Sequence, residues 1–292
     1  MTARALRPRT VTILSTGPQA LVQDLGRPGH AHLGVPPSGA LDPPSLRLAN
    51  RLVGNAEDAA CLEVLLGGLV LRANASCTVA VTGPSTAVLV NGVARDSPLH
   101  LAPGDTLTVG TPRTGLRSYV AVSGGVAVPP ELGSRSTDLL SGLGPAPLRP
   151  GDEVPLGDPT GVPVGVDVLA PLRVPDELDV PVVVGPRDDW FDCPADQLRA
   201  GRWTVSDRGN RVGIRLTGTA LGRTPRRVGR ELPSEGLVTG AVQVPADGLP
   251  VVFLADHPTT GGYPVIGVVP AHALPLLGQA RPGTRLRFSP QG

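Results

Sequence analysis

Glycine and proline interrupt the apolar stretches of this chain along its whole length. The sequence contains 38 glycines and 34 prolines among 292 residues, spread evenly between short apolar runs. So high a fraction can indicate low complexity, but here the interruptions separate runs of strand length. Hydrophobic residues make up 40% of the chain, which is typical of a globular protein. The sequence therefore predicts a mainly β protein with many turns.

One stretch departs from the strand pattern and predicts the only long helix. Asp42 suits the N-cap, Pro43 suits the first helical position, and Gly54 suits the end. Asn50 lies near the packed side of this helix, where a polar side chain needs a partner; a local hydrogen bond and a ligand contact are equally consistent. A shorter helix is expected around Pro194–Leu198.

The other apolar runs predict strands. We expect hairpins between the first two strands, across Gly67-Gly68 and at Asn91-Gly92, the strongest short-range hairpin signal in the chain. Glu63 interrupts a strand, so it either faces solvent, the more common case, or is a buried carboxylate with a partner. The predicted strands are Val11–Ser15, Ala20–Asp24, Leu62–Leu66, Leu69–Arg72, Val79–Thr82, Ala87–Val90, Thr106–Val109, Ser118–Val122, Val180–Val184, Arg202–Val205, Arg211–Leu216, Gly240–Pro245 and Pro250–Ala255.

The absence of lysine excludes several chemistries. All 26 basic residues are arginine, so the chain has no phosphate-loop lysine, Schiff-base lysine or biotinyl-lysine. The formal net charge of +1 gives no reason to expect binding to nucleic acid or an anionic membrane.

Cys61, Cys77 and Cys193 show no metal-type spacing, and no apolar run approaches the length of a membrane span. We expect a cytoplasmic protein with buried free thiols. Because only 2% of residues are aromatic, its core should consist of Val, Leu and Ala.

The densest polar loop lies between two apolar runs near the C-terminus. Gly240–Pro245 and Pro250–Ala255 flank an Asp-Gly turn, and the second run ends abruptly in the polar stretch Asp256–Pro264. Hydroxyls and backbone amides around Gly261-Gly262 can hold an oxyanion or a carboxylate, since glycine allows close approach to a ligand. An ordinary Gly/Pro connector is the alternative.

A second candidate anion site precedes the strand Arg211–Leu216. Charged or small residues alternate with apolar ones along it, as in a half-buried strand. Arg208, Asn210 and Arg211 suit an anionic ligand, and a solvated strand face explains them equally well. Between Leu140 and Pro175 the apolar runs shorten, which indicates a domain edge; we place domains at 1–165 and 166–292.

Three segments together resemble the carboxyltransferase family that includes the 5-oxoprolinase C subunit, the KipI antagonist proteins and the carboxyltransferase part of urea carboxylase. They are Val22–Asn55, Asp207–Leu216 and Ser234–Gly267, in the family's order. The chain departs from the family pattern at His257-Pro258, where members often carry Arg-Gln.

The resemblance implies two linked cyclophilin-like β-barrel domains. It also implies an enzyme component that is active only in complex with a protein like the 5-oxoprolinase B subunit and with a third hydrolase subunit. Together they would cleave 5-oxo-L-proline to L-glutamate at the expense of ATP, bound as Mg-ATP either by this chain or jointly with a partner. Two alternatives are carboxyl transfer to urea or a related amide, with biotin supplied by another chain, and a non-catalytic antagonist that binds a partner protein.

The same resemblance assigns candidate roles to residues of this chain. A substrate carboxylate needs an arginine fork, and a developing oxyanion needs hydroxyl or amide donors. The candidates for acid–base chemistry or Mg-ATP contact are Asp24, Asp42, Glu235 and Asp256, those for oxyanion contact are Thr259 and Thr260, and those for substrate binding are Arg27, Ser38, Asn50, Arg208, Asn210, Arg211, Gln243, Gly261, Gly262 and Tyr263.

Overall fold

The computed structural model describes residues 8–164 and 170–291, and the chain divides into two compact units. Within the described residues, unit 1 comprises 8–26, 43–137, 143–164 and 170–173, and unit 2 comprises 27–42, 138–142 and 174–291. Both units are mainly β, as predicted. The predicted boundary between residues 165 and 166 lies outside the described residues.

Unit 1 contains two antiparallel sheets and the longest helix, α1 (Pro43–Leu52). One sheet has the strand order β11-β1-β4-β9-β6-β7 and the other β2-β3-β10-β5-β8. The strands are β1 (Thr10–Thr16), β2 (Gln19–Gln23), β3 (Cys61–Leu65), β4 (Leu69–Ala73), β5 (Cys77–Thr82), β6 (Val88–Val90), β7 (Val93–Ala94), β8 (Leu99–Leu101), β9 (Thr106–Val109), β10 (Arg117–Val122) and β11 (Glu153–Pro155).

Two of the hairpins predicted for unit 1 are wrong. β1 pairs with β4 and β11, whereas β2 pairs with β3 in the other sheet. β3 and β4 likewise belong to different sheets, so the chain crosses between the sheets at Gly67-Gly68 instead of folding back. Both glycines have positive φ, and a Cβ on Gly67 would lie 2.0 Å from the carbonyl oxygen of Gly110. The Asn91-Gly92 hairpin, which joins β6 to β7, is confirmed.

The core of unit 1 is aliphatic, as the composition indicated. Its largest buried members include Ile13, Leu62, Leu69, Leu71 and Leu107. Helix α1 packs against β5 and β10. It ends at Leu52, and Gly54 then takes a φ of 75°, which confirms the predicted helix end.

Glu63 is buried, so the prediction that it faces solvent is wrong and the alternative holds. It lies directly opposite Tyr119 in the β3–β10 pair. The Tyr119 hydroxyl donates to Glu63 Oε2 at 2.8 Å, and Arg117 Nε lies 3.5 Å from Glu63 Oε1. Two cross-strand donors therefore stabilise a carboxylate that burial alone would disfavour.

Unit 2 is built on a closed barrel with the strand order β12-β19-β16-β17-β14-β13-β20, which the parallel β12–β20 pair closes. A two-stranded ribbon, β15–β18, lies outside this order. The strands are β12 (Glu177–Val184), β13 (Trp203–Val205), β14 (Gly213–Gly218), β15 (Glu235–Gly236), β16 (Ala241–Gln243), β17 (Val251–Phe253), β18 (Thr260–Gly261), β19 (Val265–Val268) and β20 (Arg285–Gln291).

The helices of unit 2 are short. The predicted helix near Pro194 is confirmed as α2 (Pro194–Ala200), and α3 spans Leu274–Gly278. Single 3-10 turns occupy Ala31–Leu33, Asp188–Trp190 and Ala271–Ala273. Across the described part of the chain, no helix is both long and apolar enough to cross a membrane.

Four aromatic side chains lie in the core of unit 2 and Tyr119 is fully buried in unit 1, so the expectation of a Val, Leu and Ala core is wrong for unit 2 and holds for unit 1 apart from Tyr119. Trp190, Phe191, Trp203 and Phe288 are all buried in unit 2. The Trp203 and Phe288 rings meet edge to face with centroids 5.0 Å apart. The few aromatic residues of the chain are therefore concentrated where a barrel interior needs large side chains.

Two of the three cysteines are buried, as predicted, and the third is not. Burial raises the pKa of Cys77 to about 11 and raises the pKa of the Cys61 thiol well above its usual value. Cys193 is exposed because it lies at the start of α2, on the surface of unit 2. All three are free thiols.

Candidate functional site

The polar loop 256–264 connects β17 to β19 on the barrel of unit 2. It begins inside the protein and ends at the surface: Asp256 is fully buried, whereas Tyr263 is 48% exposed. Midway along it, β18 pairs with β15, so Gly261 lies opposite Glu235. The confirmed β16–β17 hairpin precedes the loop and fixes its starting point on the barrel.

A buried ion pair anchors the start of the loop. Arg211 donates from Nε to Asp256 Oδ2 at 2.8 Å and from Nη2 to Asp256 Oδ1 at 3.0 Å. The Ser38 hydroxyl also donates to Asp256 Oδ1 at 2.8 Å, and Arg211 Nη2 donates to the carbonyl oxygen of Gly39 at 2.5 Å. These groups, which we call the Arg211 cluster, bring together three predicted site residues and join them to one another.

Arg211 does not lie on the strand face predicted for it. β14 begins only at Gly213, so the expected alternation with exposed Arg215 does not reach Arg211. The side chain instead turns inward and is only 2% exposed, while Arg208 and Asn210 stay exposed. Asn210 Oδ1 accepts from the Val212 amide at 2.8 Å, which makes it a turn residue.

Burial shifts the ionisation of both residues at the start of the loop. Burial raises the pKa of Asp256, against the opposing effect of the Arg211 charge and hydrogen bonds. Burial lowers the pKa of His257, because a charged imidazolium is costly there. His257 Nδ1 lies 2.7 Å from the carbonyl oxygen of Pro258, so this nitrogen carries the proton and Nε2, 3.1 Å from the Thr239 hydroxyl, accepts in the neutral ring.

The exposed end of the loop is held by neighbouring strands. Gln243 Nε2 donates to the carbonyl oxygen of Tyr263 at 3.1 Å, and a Cβ on Gly261 would lie 2.6 Å from the same nitrogen. A side chain at 261 would therefore displace the end of the Gln243 or Leu237 side chain. Glu235 accepts two hydrogen bonds from Arg187, which lower the pKa of the carboxyl group. Thr259 is half-buried and Thr260 is exposed at the same end.

Asp24 belongs to unit 1 and its hydrogen bonds are made within that unit, whereas the 256–264 loop belongs to unit 2. Its carboxylate accepts hydrogen bonds from the Gly26 amide at 2.8 Å and from the Ser134 hydroxyl, the Arg135 amide and the Ser136 hydroxyl at 2.6 Å each. A buried carboxylate with this many donors ties the end of β2 to the 133–137 loop.

The other predicted site residues have well-defined surroundings. In unit 1, Asn50 Nδ2 donates to the carbonyl oxygen of Ala59 at 2.7 Å, which supports its local role. In unit 2, Asp42 Oδ2 accepts from Gln279 at 2.8 Å. Arg27 is buried in unit 2, and its amide donates to the carbonyl oxygen of Pro37 at 2.6 Å.

A cleft of about 740 Å³ lies beside the exposed end of the loop and was not predicted from the sequence. Its walls are the 219–234 segment, the 245–248 turn and residues 262–264, all in unit 2. Its volume is typical of small-molecule sites. The available signal was the run of four arginines, 223, 226, 227 and 230, in the 219–234 segment, against a single acidic residue there.

The match to known families covers almost the whole of both units. Residues 33–290 match the family model described as carboxyltransferase domain, subdomain A and B. The chain belongs to this carboxyltransferase family, which confirms the resemblance seen in the sequence.

One related protein and two solved structures are each similar to this chain over most of its length. The chain is 38% identical to the 5-oxoprolinase C subunit from Escherichia coli (strain K12), over 88% of this chain and 83% of that protein. The crystal structure of TTHA0988 is similar with a TM-score of 0.86 and 36% identity, over 98% of this chain but only 56% of that one. The Kluyveromyces lactis urea carboxylase matches with a TM-score of 0.90 and 29% identity, over 99% of this chain and 28% of that one. The chain thus spans just over half of the first solved structure and about a quarter of the second.

The four carboxylates proposed for acid–base chemistry or Mg-ATP contact are each engaged with protein donors. Asp24, Asp42, Glu235 and Asp256 each accept hydrogen bonds from protein donors, and the last two face arginines. In nucleotide sites Mg²⁺ is usually bound by one or two carboxylates together with the phosphates. Within residues 8–164 and 170–291, no group of three or more His, Cys, Asp or Glu side chains is arranged to hold a metal ion.

Proposed function

We propose that the chain is the C subunit of a 5-oxoprolinase complex that opens the lactam of 5-oxo-L-proline to give L-glutamate. The observation that carries this proposal is the 38% identity to the E. coli 5-oxoprolinase C subunit, which extends over most of both chains. Similarity of that length and degree favours a shared role more strongly than a shared fold does.

In this proposal the chain contributes substrate contacts and another chain of the complex supplies ATP. An unstrained lactam resists hydrolysis, so its carbonyl must be activated, and phosphoryl transfer from ATP supplies the leaving group. The four candidate carboxylates each already accept hydrogen bonds from protein donors, which favours a partner as the main source of Mg-ATP contacts. The backbone amides of Gly261 and Gly262 and the hydroxyls of Thr259 and Thr260 would bind the carbonyl oxygen as charge develops on it.

The partners are a protein like the 5-oxoprolinase B subunit and a third hydrolase subunit. The E. coli relative is itself one subunit of its enzyme, which supports a complex of several chains. The exposed end of the 256–264 loop is compatible with this, since Thr260 and Tyr263 remain open to a second protein. The proposal therefore places turnover in the complex and not in the isolated chain.

A second candidate is carboxyl transfer to urea or a related amide. It is favoured by the TM-score of 0.90 to the Kluyveromyces lactis urea carboxylase, of which this chain covers 28%. Biotin would have to arrive on another chain, because the sequence contains no lysine to carry it. The intact mass of the purified chain should accordingly show no biotin increment.

Reconstitution separates the two candidates. The chain is purified alone and together with both partner proteins from the same organism, and ATP turnover is measured with 5-oxo-L-proline, with urea and without substrate. We expect turnover that depends on 5-oxo-L-proline and on all partners. Urea-dependent turnover requiring a biotinylated chain would support the second candidate, and full activity of the chain alone would contradict the required complex.

A further inference from the structure

We infer that the cleft beside Tyr263 binds the carboxylate of a small amide-containing acid, and that Arg230, next to Arg223, is the residue that recognises it. This inference rests on the proposed function for its ligand and on the geometry of unit 2 for its site. None of the arginines predicted from the sequence takes this position, since Arg211 is committed to Asp256 and Arg208 does not line the cleft.

The 219–234 segment is held by contacts to helix α2 and to the 188–190 turn of unit 2. The Gly222 amide donates to Gln197 Oε1 of α2 at 2.6 Å, and Gln197 Nε2 donates back to the Gly222 carbonyl oxygen at 3.0 Å. The guanidinium groups of Arg223 and Arg227 lie 5.5 and 4.8 Å from the Trp190 ring centroid. Cation–π stacking of this kind orients the Arg223 guanidinium without neutralising its charge, whereas Arg227 is also paired with Asp189.

Arg223 and Arg230 are adjacent on this wall. Arg223 Nη1 donates to the backbone carbonyl oxygen of Arg230 at 3.2 Å, and both residues line the cleft. In the part of the chain that the structure describes, the Arg230 side chain forms no ion pair and donates no hydrogen bond to protein. An arginine that is charged, exposed and unengaged beside a second, stacked arginine is suited to bind a carboxylate through its planar fork.

The rest of the lining indicates what else the ligand carries. Glu231, Asp247 and Tyr263 also line the cleft, so acceptors for an N–H group accompany the donors for an anion. Leu221 and Pro264 add apolar surface. A small carboxylic acid with a lactam or amide N–H, such as 5-oxo-L-proline, carries both an anion for the arginines and an N–H donor for the acceptors.

The test is a comparison of two variants and two ligands. Arg230→Gln removes the proposed contact, and Arg226→Gln is the matched control, because Arg226 is exposed in the same segment but does not line the cleft. Binding of 5-oxo-L-proline and of 2-pyrrolidinone, the same ring without the carboxylate, is measured by calorimetry on the full chain. Tryptophan fluorescence, to which Trp190 stacked against Arg223 contributes, gives a second readout.

We expect the parent to bind 5-oxo-L-proline about tenfold to a hundredfold more tightly than 2-pyrrolidinone. One hydrogen bond to a charged group changes the dissociation constant by a factor of about that size. Arg230→Gln should abolish this preference and Arg226→Gln should retain it. Equal preference in both variants, no binding by the parent up to about 10 mM, or competition by ATP for the same site would overturn the inference.

The same variants keep this inference distinguishable from the proposed function. In the reconstituted complex, Arg230→Gln should raise KM for 5-oxo-L-proline while kcat changes less. If the complex turns over 5-oxo-L-proline with the same KM in both variants, the cleft assignment fails and the function stands. If the parent complex lacks that turnover while the chain still binds the acid through Arg230, the function fails and the site stands.

Discussion

The buried Arg211–Asp256 pair predicts a large difference in stability between Arg211 and its neighbouring arginines. Arg211→Ala removes two charged hydrogen bonds, at 2.8 and 3.0 Å, and leaves Asp256 fully buried with Ser38 as a remaining donor. Breaking one side of such a pair typically costs about 3–5 kcal/mol, because the remaining charge is uncompensated. Arg208→Ala and Arg215→Ala change exposed side chains and should stay within about 0.5 kcal/mol of the parent.

Tryptophan fluorescence is the appropriate probe, since Trp190 and Trp203 both lie in the core of unit 2. In urea titrations at pH 7, Arg211→Ala should lower the midpoint by about 2 M, for a slope of about 2 kcal/mol per M. The double variant Arg211→Met/Asp256→Leu should be more stable than Arg211→Ala, because no unpaired charge remains buried. A loss below about 1 kcal/mol for Arg211→Ala would refute the argument and return Arg211 to the list of candidate ligand contacts.

The pH dependence of the stability of the Arg211→Ala variant tests whether the unpaired Asp256 charge causes the loss of stability. Without the guanidinium, burial should raise the pKa of Asp256 further above its unfolded value of about 3.9. The folded state then binds a proton that the unfolded state has released, so the stability deficit should shrink as pH falls from 7 towards about 4. A deficit that is constant over this range would mean that lost packing, and not the buried charge, dominates.

Two further predictions follow from buried groups. A thiol reagent should modify Cys193 alone in the native protein, with Cys61 and Cys77 reacting only in denaturant; fast reaction of more than one thiol by absorbance would contradict the burial. Because burial lowers the pKa of His257, the unfolded state binds its proton first, so stability should fall as pH drops below about 6.5. In urea titrations this fall should be smaller for His257→Gln, with the exposed His272→Gln as the control, and an unchanged profile would disprove the assignment.

Local sequence signals predicted where strands and helices lie more accurately than which strands pair with one another. The Asn91-Gly92 hairpin and the Pro43–Leu52 helix depend on neighbouring residues, and both are confirmed. β1 and β2 were predicted correctly as strands but pair in different sheets, because pairing depends on residues far along the chain. Propensity and alternation carry little information about such long-range choices.

In the candidate site, too, features set by neighbouring residues were predictable and features set by distant residues were not. The 256–264 loop was identifiable from composition, and Gly261 does lie in close contact with the Gln243 and Leu237 side chains. The inward turn of Arg211 was not identifiable, because its partner Gly39 lies 172 residues earlier in the chain and its partner Asp256 lies 45 residues later. The cleft escaped prediction for the same reason, since its walls come from three separate segments.

The composition of unit 2 has a consequence for how this protein can be divided. The unit includes residues 27–42, which precede most of unit 1 in the chain and supply Ser38 and Gly39 to the Arg211 cluster and Asp42 to Gln279. A gene fragment starting at Val174 would encode every strand of the barrel yet omit these three residues. The barrel is thus not a module that recombination or cloning can move by a single cut, and its inheritance is tied to that of the segment from the other end of the gene.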